Sequence, residues 1–188
     1  AYETVELLQE SARHYPGFAI PMMCVPATID NNLPGTDFTV GADTALNGII
    51  EVLDRIKQSA VATQRCFVVE VMGRESGYLA LMSALASGAE KAYLPETGMT
   101  IDGLLQDFRE LESDFHRGRR VALVIRNEHA SPVYTSEFLT SLFEQESHGH
   151  FDVRRAILGH LQQGGDPTPF DRTRAVRLTA QACVRLED

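Results

Sequence analysis

Apolar positions along the chain fall into two alternating patterns, helical stripes and short continuous runs. Val5, Leu8 and Ala12 share one stripe, which predicts an amphipathic helix over Tyr2–Tyr15, already under way at the first residues with no capping residue before it. Part of the fold is therefore expected upstream. Ile20–Val25 is a short apolar run after a Tyr-Pro-Gly break and predicts a buried strand. A Pro/Asn/Gly-rich stretch, Pro26–Gly41, separates it from a long helix over Ala42–Thr63, where Leu46, Ile49, Ile50, Leu53 and Ile56 keep helical spacing. Further along, the pattern predicts strands at Cys66–Val71, Lys91–Leu94, Val121–Ile125 and Ala156–Leu161. Helices are predicted at Gly77–Ser87, Ile101–Arg117, Ser136–Glu146 and Arg172–Leu186. Continuously apolar strands need cover on both faces, and helical crossovers imply parallel pairing. The expected fold class is α/β, an open doubly wound, mostly parallel sheet in one unit without repeats or linkers.

Ligands of such sheets bind beyond the carboxyl ends of the strands. Four of the predicted strands run there into loops rich in residues that handle charge. Asp30 follows the first strand with Thr28 before it; a carboxylate there either closes an Asx-turn or accepts a proton from a substrate hydroxyl. Met72-Gly73-Arg74-Glu75-Ser76-Gly77 closes a strand and opens a helix, so its backbone N–H groups and the Arg74 guanidinium suit an anion, unless this is only a tight connection. Glu128 could accept from sugar hydroxyls or pair with Arg126. His160 and Gln163 sit in a Gly-His-Leu-Gln-Gln-Gly-Gly turn where histidine can donate to phosphate oxygens or simply support the fold. Arg65 and Arg154 precede strands and so lie at the opposite edge, where they form surface pairs or reach a ligand held by a neighbouring subunit. Together the loops suit a phosphorylated polyol. No Gly-rich nucleotide loop, Walker lysine or Gly-x-Gly-x-x-Gly accompanies them.

Composition narrows the classes. Of 188 residues 44% are hydrophobic, enough for a sizeable core. The formal charge of -9, from 26 acidic and 17 basic residues, repels polyanions and argues against a nucleic-acid partner. No apolar run approaches the ~20 residues of a membrane span, and the first residues lack the basic start of a signal peptide. Cys24, Cys66 and Cys183, odd in number and set in apolar runs, are expected as reduced core thiols, which fits a cytoplasmic location; no metal site is expected.

Several long segments stand in order: Pro-Ala-Thr-Ile-Asp-Asn-Asn-Leu-Pro-Gly-Thr-Asp at 26–37, Gly-Ala-Asp-Thr-Ala-Leu-Asn at 41–47, Asp-Arg-Ile-Lys-Gln-Ser-Ala at 54–60, Val-Glu-Val-Met-Gly-Arg at 69–74, Arg-Asn-Glu at 126–128, and Leu158–Arg172. Together they resemble the 6-phosphofructokinase family. The likeness runs from Ala1 to the last helix. It implies the phosphofructokinase fold, an incomplete, Rossmann-like domain over residues 1–188 that carries the sugar phosphate-binding portion. The family transfers the γ-phosphoryl of ATP to the 1-hydroxyl of fructose 6-phosphate in glycolysis. The resemblance implies Asp30 as the base with Thr28 beside it, Met72, Gly73 and Arg74 lining the sugar phosphate site, Glu128 on sugar hydroxyls, and His160 and Gln163 on the phosphate. Arg65 and Arg154 match arginines that reach across a subunit boundary, so a homo-oligomer, a tetramer or higher, is implied. ATP and Mg2+ would be held by residues upstream, and the chain alone is expected to be inactive as a kinase. The finer likeness is to the C-terminal half of duplicated eukaryotic enzymes, whose site binds fructose 2,6-bisphosphate as an allosteric effector. Gln163, in place of the arginine of catalytic copies, is a mark of that half. Asp30 and Arg74, usually serine and glycine there, are marks of catalytic copies. A pyrophosphate-dependent relative is a further alternative.

Overall fold

A computed structural model describes residues 2–60 and 63–187 of the chain. Its elements are α1 (Tyr2–Ala12), β1 (Ala27–Thr28), β2 (Val40–Gly41), α2 (Ala42–Ser59), β3 (Arg65–Val71), α3 (Tyr78–Ser87), β4 (Lys91–Tyr93), α4 (Ile101–His116), β5 (Val121–Asn127), α5 (Ser136–Glu146), β6 (Asp152–Ile157) and α6 (Pro169–Glu187). Short 3-10 turns lie at Pro16–Phe18 and Gly159–Gln163. Four strands form a sheet of order β4-β5-β3-β6, while β1 and β2 form a separate parallel pair.

β3 pairs in parallel with β5 and with β6, and β5 in parallel with β4. The register sets Arg65 opposite Val121 and Asp152, and Glu70 opposite Arg126 and Ile157. Parallel strands in register send the loops that follow them out at one edge, so residues 72–77, 128–135 and 158–163 leave the sheet together. This placement is what the site is built on.

Alternate strand residues face opposite sides. Cys66, Val68, Ala122 and Val124 pack with Leu104, Phe108 and Leu111 of α4 and Leu139 and Phe143 of α5. Phe67, Val69, Leu123 and Ile125 pack with Ile49 and Leu53 of α2 and Leu79 and Ala80 of α3. Helices therefore cover both faces, as the continuous apolar runs require. Two threonines start helices on the first face: Thr100 Oγ1 accepts from Gly103 N at 3.2 Å, and Thr135 Oγ1 from Phe138 N at 3.2 Å. On the second face a distant carboxylate does the same work. Asp171, buried in the first turn of α6, accepts from Gly41 N at 3.0 Å and from Thr44 N at 2.8 Å, pinning α6 to the start of α2. No helix among the described residues is long and apolar enough to cross a membrane.

Three expectations are corrected. Ile20–Val25 is not a strand: Ile20 and Met23 are exposed, Pro21 brings no donor, and pairing begins only at Ala27–Thr28. An apolar run becomes a strand only where a neighbour takes its backbone groups, and none among the described residues does so here. The last strand is Asp152–Ile157, not Ala156–Leu161; as an edge strand it exposes Arg154 and Arg155, so hydrophobicity marks its end and not its start. Arg154 therefore lies within a strand, and Leu158–Leu161 leads into the 3-10 turn. Cys183 is exposed on α6 and Cys24 half-buried, so of the three thiols only Cys66 is in the core. The outer side of α6 leaves Val176 and Val184 exposed as well. Smaller shifts concern helix ends: α6 starts at Pro169, a favoured first position for proline, and α2 ends at Ser59. Residues 61 and 62, which fall in the expected tail of that helix, lie outside the described residues.

Candidate functional site

Asp30 is held by its own loop. Thr28 Oγ1 accepts from Asp30 N at 3.3 Å, and Thr28 O accepts from Thr39 Oγ1 at 2.6 Å. Asn31 closes the loop: its Oδ1 accepts from Thr39 N at 2.8 Å and its Nδ2 donates to Asp37 O at 3.1 Å. Asn31 has φ +51°, a conformation asparagine tolerates better than most residues. The Asp30 side chain is only 13% exposed, and its Oδ2 lies 3.8 Å from Arg74 Nε. Burial pushes the Asp30 carboxyl above its ordinary 3.8, and the Glu128 carboxylate adds to this; Arg74, Thr28 and His129 pull the other way without cancelling it.

The loop after β3 faces Asp30. Gly73 has φ +149°, and a Cβ there would lie 2.6 Å from Ser76 O and 2.7 Å from Asn127 Nδ2, so only glycine fits. Arg74 has φ +48°, a region that costs a residue with a Cβ about 1–2 kcal/mol, and its side chain is 72% exposed. Four of the backbone donors expected to cradle a ligand anion already have partners. Glu128 Oε1 accepts from Gly73 N at 3.3 Å and Arg74 N at 3.1 Å; Gln162 Oε1 accepts from Met72 N at 2.8 Å; Glu96 Oε1 accepts from Gly77 N at 2.7 Å. The anions at this loop and at the start of α3 are the protein's own carboxylates. A bound phosphate is left chiefly the exposed Arg74 side chain.

Glu128 does not take its charge partner from Arg126. The Arg126 guanidinium pairs with Glu70, its register neighbour, at 2.8 Å, and meets Glu128 only at the main-chain oxygen, at 3.2 Å. His160 and Gln163 lie exposed on the 3-10 turn, while Gln162 between them points inward and joins that turn to Met72. Arg65 and Arg154 lie far from this group, toward the amino ends of their strands, both bonded to Asp152 Oδ2, at 3.2 and 3.3 Å. Arg154 also lies 3.7 Å from Glu144.

Thr28, Asp30 and Arg74 line one cavity of about 530 Å³, with Tyr2, Glu3, Asn32 and Leu33 among its other walls. Gln163 lines a separate cavity of about 360 Å³ between α2 and α6. The structure thus brings Asp30, Gly73, Arg74 and Glu128 together, tethers His160 and Gln163 through Gln162, and keeps Arg65 and Arg154 apart. Sequence reasoning missed Asn31, Gln162 and Glu96; Asn31 alone had a signal, as one of two asparagines in a Pro/Gly loop. Among the described residues no three His, Cys, Asp or Glu side chains converge as metal ligands.

Residues 1–186 match the family model described as Phosphofructokinase. The chain is 49% identical over 189 residues to an ATP-dependent 6-phosphofructokinase of Schistosoma mansoni, covering all of this chain and 24% of that protein. Its fold matches phosphofructokinase from Saccharomyces cerevisiae with TM-score 0.93 at 40% identity, over 100% of this chain and 25% of that one. It also matches Pichia pastoris phosphofructokinase in the T-state with TM-score 0.91 at 42% identity, over 99% and 22%. The chain therefore spans about a quarter of the length of these proteins.

One prediction rests on Asp30 alone. The folded chain binds the Asp30 proton more tightly than the unfolded chain, so this group lowers stability as pH rises from the ordinary value of 3.8 through the raised one. Asp30→Asn is expected to raise the thermal midpoint at pH 7 and to flatten its fall over that window. A midpoint unchanged or lowered at pH 7 contradicts the burial of an ionised Asp30.

Proposed function

The chain belongs to the phosphofructokinase family, and from that premise we propose that it is the sugar phosphate-binding portion of a longer 6-phosphofructokinase. That enzyme transfers the γ-phosphoryl of ATP to the 1-hydroxyl of fructose 6-phosphate, with its nucleotide-binding portion upstream. The observation that carries this reading is the largely buried Asp30 carboxylate, of raised proton affinity, sharing one cavity with Arg74, whose backbone amide Glu128 holds from beside it. In phosphoryl transfer the protein mostly positions and stabilises charge, and a carboxylate orients the attacking hydroxyl. Asp30 takes the 1-hydroxyl proton as that oxygen bonds to the γ-phosphorus and the bond to ADP breaks. Its raised proton affinity suits it to hold that proton. Arg74 offsets charge at the same mouth, and Glu128 holds the Gly73–Arg74 backbone and faces sugar hydroxyls. His160 and Gln163 meet the phosphate end. ATP and Mg2+ belong to the upstream portion, and the soluble enzyme works in the cytoplasm.

A second reading makes this site an effector pocket for fructose 2,6-bisphosphate, with no chemistry of its own. Gln163 favours it, since glutamine in place of the arginine of catalytic copies is the mark by which the chain resembles the effector half of duplicated enzymes. The two readings diverge in kinetics. In the longer enzyme, Asp30→Asn is expected to lower kcat by about 10²–10⁴-fold, the range for a general base, with the Michaelis constant for fructose 6-phosphate little changed. An unchanged kcat with altered activation by the bisphosphate would assign the pocket to the effector.

Arg65 and Arg154 point the same portion toward a homo-oligomer. They sit together on the edge away from their own cavity, and Arg65 keeps a buried Nε without a partner among the described residues. Each serves the 6-phosphate held by a neighbouring subunit. Arg65→Ala is expected to weaken sugar phosphate binding about 10- to 100-fold in the oligomer, the scale of a charge-assisted hydrogen bond, and not in a monomeric form. Equal loss in both forms, or none in the oligomer, contradicts the cross-subunit role.

A further inference from the structure

Arg126 is the largest fully buried side chain among the described residues, 2% exposed, and does not line the Asp30 cavity. Its charge is answered across the sheet by Glu70, but one carboxylate uses few of its five N–H donors. The rest go to one loop. Nη1 donates to Glu128 O at 3.2 Å as well as to Glu70, Nη2 donates to Ser131 O at 2.6 Å, and Nε donates to Tyr134 O at 3.0 Å. The planar fork thus gathers three main-chain oxygens of the segment after β5, a set that the ammonium of lysine cannot span. Glu128 is fixed from the other side too, where its N–H donates to Val71 O at 2.9 Å. With both sides of its backbone held, its side chain reaches back to the Gly73 and Arg74 amides.

We infer that Arg126 is a positioning residue for the sugar end of the pocket, acting only through Glu128. The inference rests on the reading of the pocket as a sugar phosphate site. Arg126 orders the 128–134 loop so that the Glu128 carboxylate stands over the Gly73–Arg74 turn and keeps its distance to Asp30. A residue that only stabilised the fold would weaken every ligand alike. A positioning residue has an effect that vanishes once Glu128 can no longer act.

The test is a double-mutant cycle in the intact enzyme that carries this chain, titrated with fructose 6-phosphate in a calorimeter. Glu128→Gln identifies the binding event that belongs to this pocket. Arg126→Lys is expected to weaken that event about 10-fold when Glu128 is present and less than about 2-fold in the Glu128→Gln background, because coupled neighbours are non-additive. The pH profile adds a readout that loss of stability would not move. Glu128 raises the proton affinity of Asp30, so a displaced Glu128 shifts the Asp30 titration to lower pH. If Arg126→Lys does not fold, the pair Arg126→Met with Glu70→Leu removes both charges and carries the same expectation. Equal losses in both backgrounds, or no loss beside intact Glu128, overturn the positioning role. If Glu128→Gln itself leaves all fructose 6-phosphate binding intact, the sugar-site reading fails instead, and the inference with it.

Discussion

Val71 lies beside Asn127 because β3 and β5 run parallel in register, and Val69 lies beside Ala156 because β6 does the same on the other side. The side of the site that faces Asp30 follows from these alignments. They deliver the loops after β3, β5 and β6 to one edge, close enough that Glu128 meets the Gly73 and Arg74 amides and Gln162 meets the Met72 amide. A slip of one residue would turn Glu70 from its place opposite Arg126 and separate a buried pair, which is far costlier than separating a surface one. The same alignments put Arg65 next to Asp152 at the far edge, where neither it nor Arg154 can serve the cavity of its own chain.

Charge decides what the cavity holds. Asp30 and Glu3 line it and Glu128 stands next to it, against Arg74 as the cation of its wall. The backbone donors that would welcome a phosphate are occupied by Glu128 and Glu96. On the proposed reading, a neutral hydroxyl is better received at this end than a second phosphate, since a like charge near Asp30 raises its proton affinity further. Arg74 accepts backbone strain at φ +48° to keep a guanidinium there, which a glycine would avoid at the loss of the cation.

Where the sequence was legible, one physical rule usually sufficed. The runs at Cys66–Val71 and Val121–Ile125 are buried on both faces, so hydrophobicity alone marks them. Edge strand β6 buries only Val153 and carries two adjacent exposed arginines, and its start is set by pairing with β3, which no local pattern records. Ile20–Val25 has the composition of a strand but no partner among the described residues. At the site, the loops that hold Asp30, Arg74 and Glu128 could be found because parallel sheets place ligands beyond strand ends. That Glu128 fills the Gly73–Arg74 amides could not, because it depends on contacts 55 and 54 residues apart in sequence. Gln162 and Gln163 are adjacent and chemically identical, and only the 3-10 turn decides which of them faces inward.

Whether Asp30 excludes a second phosphate decides between the two readings of the pocket. Calorimetry on the intact enzyme, with fructose 6-phosphate and fructose 2,6-bisphosphate at this site, measures that directly when Asp30 is compared with Asp30→Ser. The account predicts tighter binding of the monophosphate to the natural chain, and a gain for the bisphosphate in the serine variant. Tighter binding of the bisphosphate to the natural chain, unimproved by serine, would contradict it and make the pocket an effector site.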